Sequence, residues 1–321
     1  MPEIIVSENI IGAAMDRLRH EHDVLYSPHL WQSPDELQAA LVEARALIVR
    51  NQTKVTAELF AAAPHLKIVA RAGVGVDNID VAAATSAGVV VSYTPAANAV
   101  SVAELAVGLM LALARHIPQA HAHAIAGGWN RQRYMGTELA GRTLGIVGFG
   151  RIGQLTAERA QAFGMKIVAA DALLASDAPA LAKFDARLLP LEELLAAADV
   201  VTLHVPLTPD TNNLINTDRL ARMKHSALLI NTSRGEVVDE ASLLSGLKDH
   251  KIAGAALDVR RTEPPAPSEF DALQNVILLP HLGAFTFEAQ ERVIDAVCRD
   301  VTLVLAGQPA LEYFNIPEPR R

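Results

Sequence analysis

The sequence holds a single cysteine, Cys298, in 321 residues. No disulfide can form within the chain, and a reducing compartment fits. Positive charge is also short: 28 lysines and arginines stand against 36 aspartates and glutamates, a net charge of −8. That deficit argues against nucleic acid and anionic membrane as partners. It leaves room for a small anionic substrate, which needs only a few local arginines. The start, Met-Pro-Glu-Ile-Ile-Val, lacks a basic stretch followed by an apolar run, so it does not read as a secretory signal. No apolar run reaches the ~20 residues of a membrane span. The most apolar stretch, 100–113, is shorter and carries Glu104. No short-period repeat or low-complexity tract interrupts the chain. These absences predict a soluble, cytoplasmic protein.

Half of the residues are hydrophobic, and the length suits two domains of ordinary size. The clearest local signal is the stretch Thr143–Gly153, which reads as a buried strand, a tight glycine turn and the first turn of a helix. Gly148, Gly150 and Gly153 have the G-x-G-x-x-G spacing. The first allows the sharp turn, the second lets backbone approach a pyrophosphate, and the third lets helix and sheet pack closely. Free N–H groups at that helix start then face the anion. Helix 151–163 is ended by Gly164, and strand 165–170 leads to Asp171. This acid lies 18 residues past Gly153, close to the offset expected of a ribose 2′-hydroxyl ligand. No arginine follows it closely, so NAD is expected over NADP.

Before that stretch, β-rich runs at 3–7, 23–27, 46–50, 66–71 and 89–93 alternate with helical segments at 10–20, 34–43, 56–62 and 80–86. Such alternation predicts a parallel sheet covered by helices on both faces. Ser33-Pro34-Asp35-Glu36 reads as a helix start, with Ser33 as the capping side chain. A helix from Val100 to at least His116 is apolar all round, as befits a helix buried from several sides. It connects two domains and suits a subunit interface. From Thr143 six strands are expected, at 143–147, 166–170, 199–204, 227–231, 252–257 and 276–279. A last helix over 287–305 returns to the first domain, making that domain discontinuous. His20 and His22 read as surface residues. His121 and His123, two apart on a helix, point to different faces and make no metal pair; no metal site is expected.

Ligands of open α/β sheets sit beyond the carboxyl ends of the strands. Arg234 follows the fourth of these six strands, Asp258 and Glu263 the fifth, and His281 the sixth. An arginine, a carboxylate and a histidine on one edge suit hydride chemistry on a 2-oxo or 2-hydroxy acid. The imidazole of His281 takes the hydroxyl proton and returns it. Glu263 orients that ring and favours its charged form. The fork of Arg234 grips a carboxylate and polarises the adjacent carbonyl. Arg50 and Arg71, both at strand ends of the first domain, add positive charge for a second anionic group.

Several stretches, in order, resemble the D-isomer-specific 2-hydroxyacid dehydrogenases, and within them the D-3-phosphoglycerate dehydrogenase branch. They are Leu47–Arg50, Arg71–Asn78, Gly148–Gly153, His204–Thr208, Asn231–Glu236, Ala256–Val259 with Glu263-Pro264, and Pro280–Ala284. The resemblance implies an α/β fold of two parallel-sheet domains, a Rossmann-type NAD-binding domain (residues 99–285) inserted in a flavodoxin-like substrate domain (1–98 and 286–321). It implies NAD as cofactor and the roles argued for Arg234, Glu263 and His281. It puts Arg151 and Ile152 at the pyrophosphate, Asp171 at the adenosine ribose, and His204, Val205 and Pro206 along the adenosine half. Thr232 and Ser233 approach the nicotinamide, Asp258 faces the carboxamide, and Val74, Gly283 and Ala284 complete the cofactor set. Gly75, Asn98 and Arg131 join Arg50 and Arg71 as substrate ligands. A homodimer through the cofactor domain is implied, and the chain matches a short form without the C-terminal regulatory domain of longer relatives.

The expected substrate is a short D-2-hydroxy acid with a second anion, 3-phosphoglycerate first. Sulfolactate or glycerate/hydroxypyruvate is the alternative within the same chemistry. A non-enzymatic, NAD-sensing corepressor is the alternative from another class; it ranks lower because the arginine, glutamate and histidine are all present. Two departures touch substrate choice. Arg260 and Arg261 stand where the family has an aromatic and then an acidic or polar residue, and Phe285 stands where a small residue is common.

Overall fold

The computed structural model describes residues 2–320. Its first part alternates β1 (Ile4–Val6), α1 (Ala13–Glu21), β2 (Val24–Tyr26), α2 (Pro34–Leu41), β3 (Ala46–Val49), α3 (Ala57–Ala62), β4 (Ile68–Arg71), α4 (Val81–Ser86) and β5 (Val90–Ser92). Helices α5 (Ala99–Ala114) and α6 (Ile117–Ile125) follow. The alternation resumes with β6 (Thr143–Val147), α7 (Arg151–Ala162), β7 (Lys166–Ala170), α8 (Pro179–Lys183), β8 (Arg187–Leu188), α9 (Leu191–Ala197) and β9 (Val200–Leu203). It ends with α10 (Thr217–Leu220), β10 (Leu228–Asn231), α11 (Glu240–Lys248), β11 (Gly254–Leu257), β12 (Val276–Leu278) and α12 (Phe287–Leu305). The chain divides into two compact units, one running to Asn98 and resuming at Ala284, the other spanning Ala99–Gly283.

The first unit is a five-stranded sheet in the order β2-β1-β3-β4-β5, every ladder parallel. This is the flavodoxin-like order, with its switch point between β1 and β3. The strands are buried because both faces are covered. Ala46 and Ile48 of β3 face one core with Val293, Val297, Val301 and Val304 of α12. Leu47 and Val49 face the opposite core with Leu37, Leu41, Leu59 and Phe60. The period-2 strand pattern thus meets the three-to-four-residue spacing of α12 on one side only.

The second unit is a seven-stranded parallel sheet in the order β12-β11-β10-β9-β6-β7-β8. It is the dinucleotide-binding order with one strand added at the β12 edge. Leu144 and Ile146 of β6 pack with Ala106, Leu109, Met110 and Leu113 of α5 and with Ala157 and Ala160 of α7. Leu194, Leu195, Leu243 and Leu247 of α9 and α11 cover the other face.

Four expectations are corrected. The long helix stops at Ala114 rather than running through His116, which sits in the left-handed region at φ 53°. Pro118 is the cause: it lacks an N–H, and its ring would clash with the carbonyl four residues back, so α6 starts afresh at a 61° bend. Ser33 is the N-cap residue of α2, but its side chain makes no capping bond. The cofactor-type sheet has a seventh strand, β8, only two residues long and too short to show a period. His22 is not a loose surface residue, because its Nδ1 lies 2.9 Å from a carboxylate oxygen of Glu3.

Candidate active site

The glycine turn joins β6 to α7. Gly148 has φ 91°, and a Cβ there would lie 2.7 Å from the His204 carbonyl oxygen. A Cβ on Gly153 would lie 2.3 Å from the Gly148 carbonyl oxygen. Those two glycines are required by the fold itself. Gly150 is different: a Cβ there would meet no protein atom within 4 Å, so what glycine preserves is open space above the turn. No side chain caps the start of α7. Asp171, just past β7, accepts the Phe149 N–H at 2.8 Å on one oxygen and the Leu173 N–H at 2.9 Å on the other. It therefore ties the glycine turn to the neighbouring strand end while staying partly accessible.

His204 follows β9. Its Nε2 lies 3.0 Å from the Thr202 hydroxyl and 3.4 Å from that of Thr156. Burial pushes its pKa down to about 3, so the ring is neutral. Its Nδ1 is buried and has no hydrogen-bond partner among the described residues. The hydroxyl of Thr232, after β10, is in the same position. Unsatisfied buried polar atoms are costly and call for a partner. The loop that follows is shaped by Asn231, fully buried, whose side-chain oxygen accepts from the Ser233 N–H and hydroxyl and whose amide donates to the Arg234 carbonyl. The Arg234 guanidinium donates to the Ser233 carbonyl at 2.8 Å. Val205 and Pro206 continue from His204 with no side-chain hydrogen bond to make.

Asp258 follows β11 and is 1% exposed. Its two oxygens accept the N–H groups of Leu282 at 2.7 Å and Gly283 at 2.8 Å. Burial raises its pKa, against the pull of those two N–H groups and of His281. It thereby shapes the loop after β12, which carries His281. His281 itself has φ 58°, a conformation that L residues adopt at a cost and that tends to mark functional sites. Its Nδ1 lies 2.7 Å from Glu263 Oε2. Burial works to raise the Glu263 pKa, but the bond and charge of His281, the Arg260 N–H and the charge of Arg234 outweigh it and hold the carboxyl low. A carboxylate facing Nδ1–H leaves Nε2 to exchange protons.

The second unit thus brings together, at the carboxyl edge of one sheet, Gly148, Gly150, Arg151, Ile152, Gly153, Asp171, His204, Val205, Pro206, Thr232, Ser233, Arg234, Asp258, Glu263, His281 and Gly283. Arg131, exposed, belongs to this unit but precedes β6, just before the short 3-10 turn Gln132–Tyr134. Arg50, Arg71, Val74, Gly75, Asn98 and Ala284 belong to the first unit. Arg50 follows β3; its guanidinium donates to Gln290 Oε1 at 2.6 Å and lies 5.5 Å from the Phe285 ring centre. Burial lowers its pKa, partly offset by Glu8. Arg71 ends β4 and reaches back across Gly73 to the Ala72 carbonyl at 3.2 Å. The Asn98 side-chain oxygen is buried with no hydrogen-bond partner among the described residues.

Four shaping residues escaped the sequence reading. Asn231 and Gln290 lie inside quoted or helical stretches with no signal of their own. Glu8, buried at 3% exposure, accepts the N–H groups of Arg50, Gln52 and Thr53. Glu240 binds Arg260, which comes 20 residues later. Such pairings are long-range and leave no local pattern.

Residues 107–283 match the family model for the D-isomer specific 2-hydroxyacid dehydrogenase, NAD binding domain. D-3-phosphoglycerate dehydrogenase of Methanocaldococcus jannaschii is 43% identical over 323 residues, covering 99% of this chain and 60% of that protein. The enzyme of the same name from Rattus norvegicus is 48% identical over 283 residues, 88% of this chain and 53% of that protein. The chain therefore spans 60% or less of the length of these curated relatives. Among solved structures, a protein from Thermus thermophilus superposes with a TM-score of 0.90 at 37% identity, covering 97% of this chain and 99% of that one. D-lactate dehydrogenase from Aquifex aeolicus, complexed with NAD and lactic acid, superposes with a TM-score of 0.85 at 28% identity, covering 95% of each.

Proposed function

Because the chain belongs to the D-isomer-specific 2-hydroxyacid dehydrogenases, we propose that it oxidises a short D-2-hydroxy acid, or reduces the matching 2-oxo acid, with NAD. The preferred substrate in this reading carries a second anionic group, as 3-phosphoglycerate does. The observation that carries the reading is the 2.7 Å contact of His281 Nδ1 with Glu263 Oε2, on the sheet edge that also bears Arg234 and the glycine turn.

The residues fit a dinucleotide. Open space above Gly150 and the uncapped start of α7 suit a pyrophosphate. Asp171 suits the ribose hydroxyls, and the unpartnered Nδ1 of His204 and hydroxyl of Thr232 await polar atoms. Asp258 and Gly283 border the same edge. When bound, NAD supplies the hydride acceptor.

The protein's own part is to bind, orient and move one proton. His281 Nε2 takes the hydroxyl proton in oxidation and returns it in reduction. Glu263 holds the ring by Nδ1 and stabilises the imidazolium that results. The Arg234 fork binds the carboxylate and polarises the oxygen at the reacting carbon. Arg50 and Arg71, with Gly75, Asn98 and Arg131, serve the rest of the substrate.

A second reading, a short acid with no second anion such as glycerate or hydroxypyruvate, is favoured by one feature. The Arg50 guanidinium already binds Gln290 and faces Phe285, which leaves less of it for a phosphate. Turnover of a panel of ~20 hydroxy acids and their oxo forms with NAD and NADP tests both. No turnover of any member would overturn the enzymatic reading and leave a nucleotide-sensing protein. We further propose a homodimer through the second unit, supported by its exposed Ile125, Trp129 and Met135, and a cytoplasmic location, supported by a lone and buried cysteine. A monomeric mass in solution would overturn the dimer.

A further inference from the structure

We propose that Arg260 and Glu240 are a positioning pair that locks the Glu263 carboxylate in place against His281. The inference rests on the proposed roles of His281 and Glu263. Arg260 is only 8% exposed. Its Nε and Nη2 donate to the two oxygens of Glu240 at 3.0 and 3.1 Å, and its guanidinium carbon lies 4.8 Å from the Phe270 ring centre. Glu240 Oε1 also accepts the Arg261 N–H at 2.8 Å. Two consecutive residues, one by side chain and one by backbone, are therefore fastened to one carboxylate.

That carboxylate is itself anchored. Glu240 is the first residue of α11, whose N-cap, Asp239, accepts the N–H groups of Ala241 and Ser242. A fork held at both oxygens fixes position and angle, which a single ammonium cannot do. What this fixes is the peptide of Arg260, and the N–H of that peptide donates to Glu263 Oε1 at 3.1 Å. Glu263 Oε2 meets His281. With one oxygen on a fixed N–H and the other on the imidazole, the carboxylate cannot rotate away. The same backbone also supports the Arg234 loop: a Cβ on Gly235 would lie 2.0 Å from the Arg260 carbonyl carbon. An aromatic at 260 would fill space but could not grip Glu240. The departure at 260 is thus a second fastening of the carboxylate that partners the proton carrier, and Arg260 acts through Glu263 rather than on substrate.

The test uses Arg260→Lys, which keeps the charge and loses the fork, and Glu240→Gln, which keeps the shape and loses the charge. Glu263→Gln serves as reference. The His281 Nδ1–H proton, which faces Glu263, is observed by NMR in the protein alone, assigned by the resonance missing in His281→Ala. NAD-dependent turnover of 3-phosphoglycerate and the Kd of NADH are measured alongside. Glu263→Gln moves that resonance upfield because the proton loses its charged acceptor. Both pair variants should move it in the same direction, cut kcat about 10-fold, and leave the NADH Kd within about twofold. The double variant should be no worse than the worse single one, as expected of residues that act as one unit.

A wild-type His281 Nδ1–H resonance in both pair variants, beside a moved one in Glu263→Gln, overturns the positioning role. So does a lowered Tm with an unmoved resonance, which marks a purely structural ion pair. If Glu263→Gln itself leaves resonance and turnover unchanged, the underlying reading of Glu263 fails instead, and the positioning role with it.

Discussion

The peptide N–H of His281 donates to the carbonyl oxygen of Asp258 at 2.8 Å, and the Asp258 carboxylate takes the next two N–H groups of the same loop. One residue at the end of β11 thus dictates the path of the loop after β12 and with it the aim of the imidazole. If His281 is the proton carrier, His281→Ala lowers kcat by ~10²- to 10⁴-fold, while NADH binding followed by fluorescence stays near wild type. Turnover close to wild type in this variant would remove His281 from the chemistry.

In the proposed reading Arg234 bears on binding and on catalysis together. If its side chain grips the carboxylate and polarises the carbonyl, Arg234→Ala raises KM and lowers kcat. Arg234→Lys should recover little of either, since an ammonium does not reproduce a bidentate fork. Steady-state kinetics of both variants decide it, and a fully active lysine variant would show that charge alone suffices.

Asp171 should set the cofactor choice. A carboxylate binds a free ribose diol and repels a 2′-phosphate, so kcat/KM with NAD exceeds that with NADP in the wild type. Asp171→Ala narrows the gap. The variant also gives up the bonds to Phe149 and Leu173, so its Tm is measured in parallel. Equal efficiency with both cofactors in the wild type contradicts the assignment.

Arg50 and Arg71 are expected to read a second anion. Each alanine variant should lose about 10- to 100-fold in kcat/KM on 3-phosphoglycerate and on sulfolactate and be nearly unaffected on D-lactate. Equal losses on all three substrates, or a wild type that prefers lactate or glycerate, would mean that these arginines do not select such an anion.

His204 carries a pH signature. Its folded pKa is pushed down to about 3, whereas the unfolded chain protonates the same ring near pH ~6.5. Between those values the unfolded state holds the extra proton. The stability tied to the neutral ring is therefore whole above pH ~6.5 and declines as pH falls toward the folded value, by at most about 1.4 kcal/mol per pH unit. Melting curves from pH 7 to 4.5 should fall more steeply for the wild type than for His204→Gln. Parallel slopes would show that the buried ring is not what the acid acts on.

The sequence by itself was enough for whatever rests on local pattern and strand polarity. Alternating apolar runs implied two parallel sheets, and α12 is legible as 287–305 because its apolar spacing is regular and uninterrupted. The candidate edge was legible too, since Gly148 and Asp258 follow a strand directly, Arg234 and His281 come three residues after one, and the parallel strands of one sheet end on one side. Tertiary structure decided what depends on distant partners or on strain. His116 ends a helix that its own apolarity would continue, because Pro118 lies ahead. Glu8 and Arg260 look like ordinary surface charges in sequence, yet both are buried, because partners far along the chain supply their hydrogen bonds. A local pattern records what a residue does to its own helix or strand. It holds nothing of a pairing across 20 or more residues, which exists only once the sheet has brought the loops to one edge.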